Sequence, residues 1–260
     1  METGTPAEKT NKVKLNEGEQ LDDLQCVGLY ILQKKGTFRY GTDAVLLANY
    51  AVDNILSSAT VKGRLAKTGA GVKPVKFIDV GTGTGIVPIL MCGKLTAAGG
   101  NAAFTAVEIQ PEMCELARRS IDINGQQESI TVVEADIRQS GLEAGSFDIV
   151  TINPPYVRSG SGILSDVSGI ACARHEIYCT QEEMIGAAVK LLKFRGMLFM
   201  VNRPDRLTDA LLALREGGAE PDELTFVHAF PDKPPVMFLL RARKGGGRGL
   251  RVKAPVILEE

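Results

Sequence analysis

Tryptophan is absent from the 260 residues, and histidine occurs only as His175 and His228. With so few imidazoles, and none in an H-E-x-x-H arrangement, no catalytic metal is expected. Cysteine is also scarce: Cys26, Cys92, Cys114, Cys172 and Cys179 form an odd set without a C-x-x-C pair. That excludes a disulfide framework and a thiolate zinc cage, leaving buried free thiols as the expectation. No apolar run approaches the roughly 20 residues that cross a bilayer; the longest, Ile86 to Cys92, is interrupted by Pro88. No membrane partner is therefore expected, and the first residues lack the apolar core of a signal peptide, so the chain is read as cytoplasmic. Net charge of either sign is missing too, at a formal -1, which excludes a uniformly basic coat for nucleic acid. Arg241, Arg243, Lys244, Arg248, Arg251 and Lys253 nevertheless fall together with no intervening acid. Such a tail suits phosphates, with Arg248 and Arg251 as candidate RNA contacts, or else it is a solvated, glycine-loosened end.

What is present is enough apolar residue, 44%, for one full α/β core but hardly for two enzymatic domains. Residues 1–20 read as a flexible leader. A lead-in over 21–56 holds a β segment at Cys26 to Gln33 and a helix at Asp43 to Val52, opened by a Thr42 or Asp43 cap. Residues 57–75, rich in Gly, Ser, Thr and Lys, read as a flexible loop. The main domain then covers 76–258 and ends in the basic tail at 241–253. Strands are expected at Lys76 to Val80, Ala103 to Val107, Ile130 to Val133, Phe147 to Ile152 and Met197 to Val201, with helices between them. Thr180 and Glu183 form a capping box for the helix starting near Gln181. After a helix at Pro204 to Arg215 the alternation stops: Leu224 to His228 and Val236 to Arg241 are strands joined by a short Pro-rich link and must pair antiparallel. A plain dehydrogenase would instead continue with βαβ units. Nothing fixes an oligomeric state; a monomer is the working expectation.

The first core strand leads into Asp79-Val80-Gly81-Thr82-Gly83-Thr84-Gly85 and then an apolar helix. Glycines let the main chain take positive φ and approach a ligand where a Cβ would collide. Glu108 ends the second strand 23 residues beyond Gly85, close to the approximately 20 expected for an acid that grips ribose hydroxyls. Asp136, after the third strand, is placed to accept from an exocyclic adenine amine, or else to cap its loop. The Gly81-x-Gly83-x-Gly85 spacing departs from the dinucleotide fingerprint and resembles the cofactor turn of class I methyltransferases. That resemblance implies a Rossmann-like, seven-stranded α/β sheet with a C-terminal antiparallel hairpin and S-adenosylmethionine as cofactor. It also puts Asp79 near the methionine end.

Asn153-Pro154-Pro155-Tyr156 closes the buried strand at Phe147 to Ile152, at the sheet end where open α/β folds place ligands. The prolines stiffen the loop. An adenine amine is a poor nucleophile because its lone pair is delocalised into the ring. The Asn153 side-chain oxygen and the Pro154 carbonyl can accept its two hydrogens and localise that pair, while Tyr156 stacks the base. A rigid strand-ending turn would account for the prolines but not for the flanking Asn and Tyr.

Beyond these motifs, Phe38 to Ala48, Ala173-Arg174-His175-Glu176, Arg203-Pro204-Asp205-Arg206-Leu207 and Phe226-Val227-His228 are similar to segments of the bacterial tRNA (adenine-N6)-methyltransferases that act beside the anticodon of valine tRNA. The match runs from about Leu24 to Leu258. It implies a tRNA substrate, Asp43 and its neighbours closing over the cofactor, and Arg174 and His175, with Pro155, lining the target pocket. Asp43 as a helix cap and Arg174 with Glu176 as a solvated pair are the bland alternatives. The Val157 to Gly169 loop departs from the compact pattern. Methylation of a protein glutamine amide, of DNA adenine, or a silent RNA-binding module are the competing functions.

Overall fold

The structure, a computed structural model, describes residues 13–26, 28–35, 41–69, 71–154 and 179–258. Strands β1 (Glu19–Asp23) and β2 (Tyr30–Lys34) form an antiparallel hairpin. The leader expected over 1–20 therefore ends in a strand, and the β segment lies later than Cys26 to Gln33. Long-range contacts order this region: Glu19 meets Arg119 at 2.7 Å, and that hydrogen bond, against burial, holds the Glu19 carboxyl down at about 2.

Helix α1 (Thr42–Ser57) buries Ala44, Leu47, Ala48, Ala51, Val52 and Ile55, the i, i+3, i+4 stripe of a helix lying on a core. Its N-cap is Gly41, with no side-chain cap bond, so neither Thr42 nor Asp43 caps it. A second correction concerns 57–75, which holds helix α2 (Ala59–Leu65). Leu65 is buried and Arg64 reaches Asp148 at 2.9 Å. These tertiary contacts hold a segment whose composition has no apolar periodicity of its own.

The remaining elements are β3 (Val75–Val80), α3 (Ile86–Ala97), β4 (Ala102–Glu108), α4 (Pro111–Ile123), β5 (Ile130–Glu134), β6 (Phe147–Ile152), α5 (Gln181–Leu191), β7 (Leu192–Asn202), α6 (Leu207–Glu216), β8 (Ala219–His228), β9 (Pro235–Lys244) and the two-residue strands β10 (Arg251–Val252) and β11 (Val256–Ile257). Seven strands run in the order β5-β4-β3-β6-β7-β9-β8, and β10 and β11 extend the β8 edge. All neighbours from β5 to β7 are parallel; β9 is antiparallel to both β7 and β8. Alternation along the strands feeds two cores. Phe77, Ile149 and Phe199 join α1 and α3 on one face, while Ile78, Val150 and Leu198 join α5 and α6 on the other. The capping box at Thr180 and Glu183 is formed.

This topology divides the molecule into two ends. Strand order reverses around β3, so a crevice opens at the carboxyl ends of β3, β4 and β6. Because β9 is antiparallel, its last residues, Arg243 and Lys244, lie at the opposite end.

Candidate active site

The turn after β3 is built by backbone conformation. Gly81, Gly83 and Gly85 have φ of 70°, 57° and 86°, the left-handed region that favours glycine. Glu108, 1% exposed, ties this turn to β4. Its Oε2 accepts from the Gly83 amide and its Oε1 from the Ile109 and Gln110 amides, each at 3.0 Å. The acid expected to grip a ribose thus also shapes the turn beneath it, and of its roughly four acceptor sites one is left, on Oε2.

Asp79, one residue before the end of β3, is buried and accepts the Thr151 hydroxyl of β6 at 2.6 Å. Burial pushes its pKa up to about 7. A buried acid matched by hydroxyls rather than by a cation favours a cationic ligand, the chemistry of an amino-acid ammonium. Between the ends of β3, β4 and β5 lies an apolar slot walled by Val80, Ile109, Ile137 and Met184, with Glu108 and Asp136 at its rim. Apolar faces and acceptors at the edge suit a nucleoside. The residues present therefore fit S-adenosylmethionine.

Asp136 is more engaged than its spacing suggested. Its carboxylate accepts from the Arg138 amide and guanidinium, and Arg138 also reaches Glu183, so Arg138 holds the Asp136 carboxyl below the usual range. The loop-capping alternative is the geometry observed. Sequence reasoning missed Arg138, Thr151 and Met184; the i, i+2 spacing of Asp136 and Arg138 was the one local signal available.

Asn153 follows Ile152, which pairs with Val80, so it stands beside Gly81. Its side-chain Nδ2 donates to Asp43 Oδ2 at 3.0 Å, joining two motifs 110 residues apart. Pro154 is buried. Pro155, Tyr156, Arg174 and His175 lie outside the described residues, as do Phe38 to Tyr40 and Cys172. Arg248 and Arg251 are not brought to this cluster. Arg248 is exposed beyond the far end of β9, and Arg251 pairs along the sheet edge, 3.7 Å from Glu223. The start of the supposed basic tail is β-sheet: Arg241 is buried against Asp222 at 2.7 Å, and Arg243 meets the same acid at 2.8 Å. Among the described residues no group of three or more His, Cys, Asp or Glu could hold a metal, and no single helix is long and apolar enough to cross a membrane.

Strand order, glycine turn and buried acids together define a class I methyltransferase, the class that uses S-adenosylmethionine. Residues 77–159 match a family described as a methyltransferase domain. Among solved structures, the chain is similar to a predicted O-methyltransferase from Agrobacterium tumefaciens (26% identity, TM-score 0.58, covering 83% of this chain and 86% of that one). It also shares its fold with a 16S rRNA N2 G1207 methyltransferase of T. Thermophilus solved with AdoMet and guanosine (17% identity, TM-score 0.58, covering 89% and 52%). Sequence similarity is more particular. The chain is 29% identical over 205 residues to the tRNA1(Val) (adenine(37)-N6)-methyltransferase of Porphyromonas gingivalis, covering 77% of this chain and 72% of that protein. Its counterpart of the same name in Phocaeicola vulgatus is 27% identical over 202 residues, covering 78% and 75%.

Proposed function

We propose that this enzyme transfers a methyl group to N6 of adenine 37 in tRNA1(Val), the reaction in its relatives' names, and that it works in the cytoplasm, where its tRNA substrate is found. The observation that carries the reading is the position of Asn153: at the carboxyl end of β6, beside the glycine turn, with its amide held by Asp43. When bound, S-adenosylmethionine supplies an activated methyl group. Asn153 Oδ1 and the Pro154 carbonyl accept the two amine hydrogens, turning the nitrogen lone pair towards the donor. These contacts strengthen as the nitrogen becomes positive, so they lower the barrier rather than only the binding energy. The surplus proton of the methylated, now acidic nitrogen leaves to solvent. Tyr156 stacks the base, with Pro155, Arg174 and His175 around it.

Labelled methyl transfer from S-adenosylmethionine to unmodified tRNA1(Val) tests this. Asn153→Ala is expected to lower turnover by about 10²–10³-fold or more while calorimetry still detects cofactor binding. Undiminished turnover would remove Asn153 from the mechanism. One relative points elsewhere: the release factor glutamine methyltransferase of Chlorobaculum tepidum is 34% identical over 98 residues, though these cover only 32% of that protein. Transfer to a glutamine-bearing peptide and not to tRNA would establish that second reading.

A further inference from the structure

The described residues of the reaction site contain a carboxylate that the chemistry above does not use. Asp43 is 8% exposed, sits in the first turn of α1, and makes no capping bond there. Its Oδ2 instead accepts from Asn153 Nδ2. Its other oxygen folds back over Gly41 so closely that a Cβ at that position would lie 2.7 Å from Oδ1. Glycine at 41 thus leaves the space in which the carboxylate reaches Asn153.

An asparagine amide is nearly symmetric in shape but not in chemistry: one end accepts hydrogen bonds, the other donates. For Asn153 to receive an amine hydrogen, its oxygen must face the substrate and its nitrogen must face away. Asp43, acceptor-only when ionised, holds the nitrogen end. A charged acceptor also makes the stronger bond and draws the amide towards its dipolar form, raising electron density on Oδ1. As positive charge grows on the attacked nitrogen, the carboxylate charge is one amide away. We propose that Asp43 is a positioning residue that fixes the orientation of the Asn153 amide and polarises it, rather than a ligand of the cofactor. This rests on the methyl-transfer reading above.

The test is a charge exchange. Asp43→Asn is expected to lower kcat by about 10–100-fold, the worth of one charge-assisted hydrogen bond, with the calorimetric Kd for S-adenosylmethionine little changed. Asn153→Asp places two carboxylates together and is expected to be at least as impaired. The double variant Asp43→Asn/Asn153→Asp restores one donor facing one acceptor and leaves an oxygen of residue 153 for the substrate amine. Its kcat is expected to exceed that of each single variant by about tenfold. Gly41→Ala, which keeps the carboxylate but displaces it, should lower kcat in the same sense. A loss that appears in cofactor affinity instead of kcat, or a double variant no better than the poorer single one, overturns the proposal. A readout that needs no acceptor substrate separates it from the functional reading. In the full chain, the Asn153 side-chain amide resonances should shift and lose exchange protection on Asp43→Asn. Unaltered resonances overturn the contact itself. Altered resonances in an enzyme that methylates a glutamine peptide but not tRNA would retain the positioning role and discard only the substrate.

Discussion

Asp79 and Asp148 lie on adjacent strands of one sheet, both buried, yet they face opposite ends and behave oppositely. Asp148, at the start of β6, meets Arg64 and Lys193 at 2.9 Å and accepts the Lys76 amide; burial opposes ionisation there, but these partners outweigh it and hold its pKa below the usual range. Asp79, at the carboxyl end of β3, has no ion-pair partner among the described residues, and burial pushes it up to about 7. The same contrast extends outward. Away from the reaction site, Asp222 carries Arg241 and Arg243. At it, among the described residues, Glu108 is matched by main-chain amides. Asp148 and Asp222, paired with basic side chains, brace the sheet away from the crevice, whereas among the described residues Asp79 and Glu108 at the crevice are met by a hydroxyl and by main-chain amides.

The strongest way to break this comparison is to exchange phenotypes between the two ends. Glu108→Gln removes one acceptor oxygen beneath the glycine turn and is expected to weaken S-adenosylmethionine binding by about tenfold or more, measured by calorimetry. Asp148→Asn should leave that affinity unchanged and cost about 1–3 kcal/mol of stability, a downward shift of several degrees in Tm. Its partners are half-exposed and rehydrate, which keeps the loss moderate. If Asp148→Asn impaired cofactor binding and left Tm alone, the division would fail.

A smaller effect concerns pH. In the unfolded chain Asp79 has the ordinary aspartate pKa of 3.8, while the folded state keeps its proton until about 7. Its contribution to stability is therefore complete below pH 3.8 and declines as pH rises through about 7. For Asp148, with a lowered folded pKa, the stabilisation is present above 3.8 and lost as pH falls below it. The stability difference between wild type and Asp79→Asn should thus slope downward between these two pH values in the cofactor-free protein. A level difference curve would mean that Asp79 is ionised throughout. The smallest expected effect is at Arg248, beyond the far end of β9: Arg248→Ala should leave the salt dependence of tRNA binding unaltered. A slope reduced by about one would place a phosphate at that end.

Much of the fold was legible because periodicity is local. Strand β6 falls where Phe147 to Ile152 predicts it, and the Thr180 to Glu183 capping box needs only four residues to be recognised. The helix at 59–65 was not legible, since what orders it is an ion pair to Asp148 and the burial of Leu65 against distant elements. For a related reason the pairing of Arg241 and Arg243 was not legible: in one dimension the run is acid-free, but its neighbour across the β8–β9 hairpin is Asp222.

Residue spacing alone dictates the glycine turn, the buried strand that carries Asn153, and the order of elements that makes an α/β sheet closed by a hairpin, because each follows from a pattern along a few turns or one strand. Folding in three dimensions settles that Asp43 meets Asn153, that Glu108 braces the turn, and which acids keep a cationic partner. Those depend on distances between segments 110, 25 and 72 residues apart, set by packing of the sheet against its helices, and no local pattern encodes them.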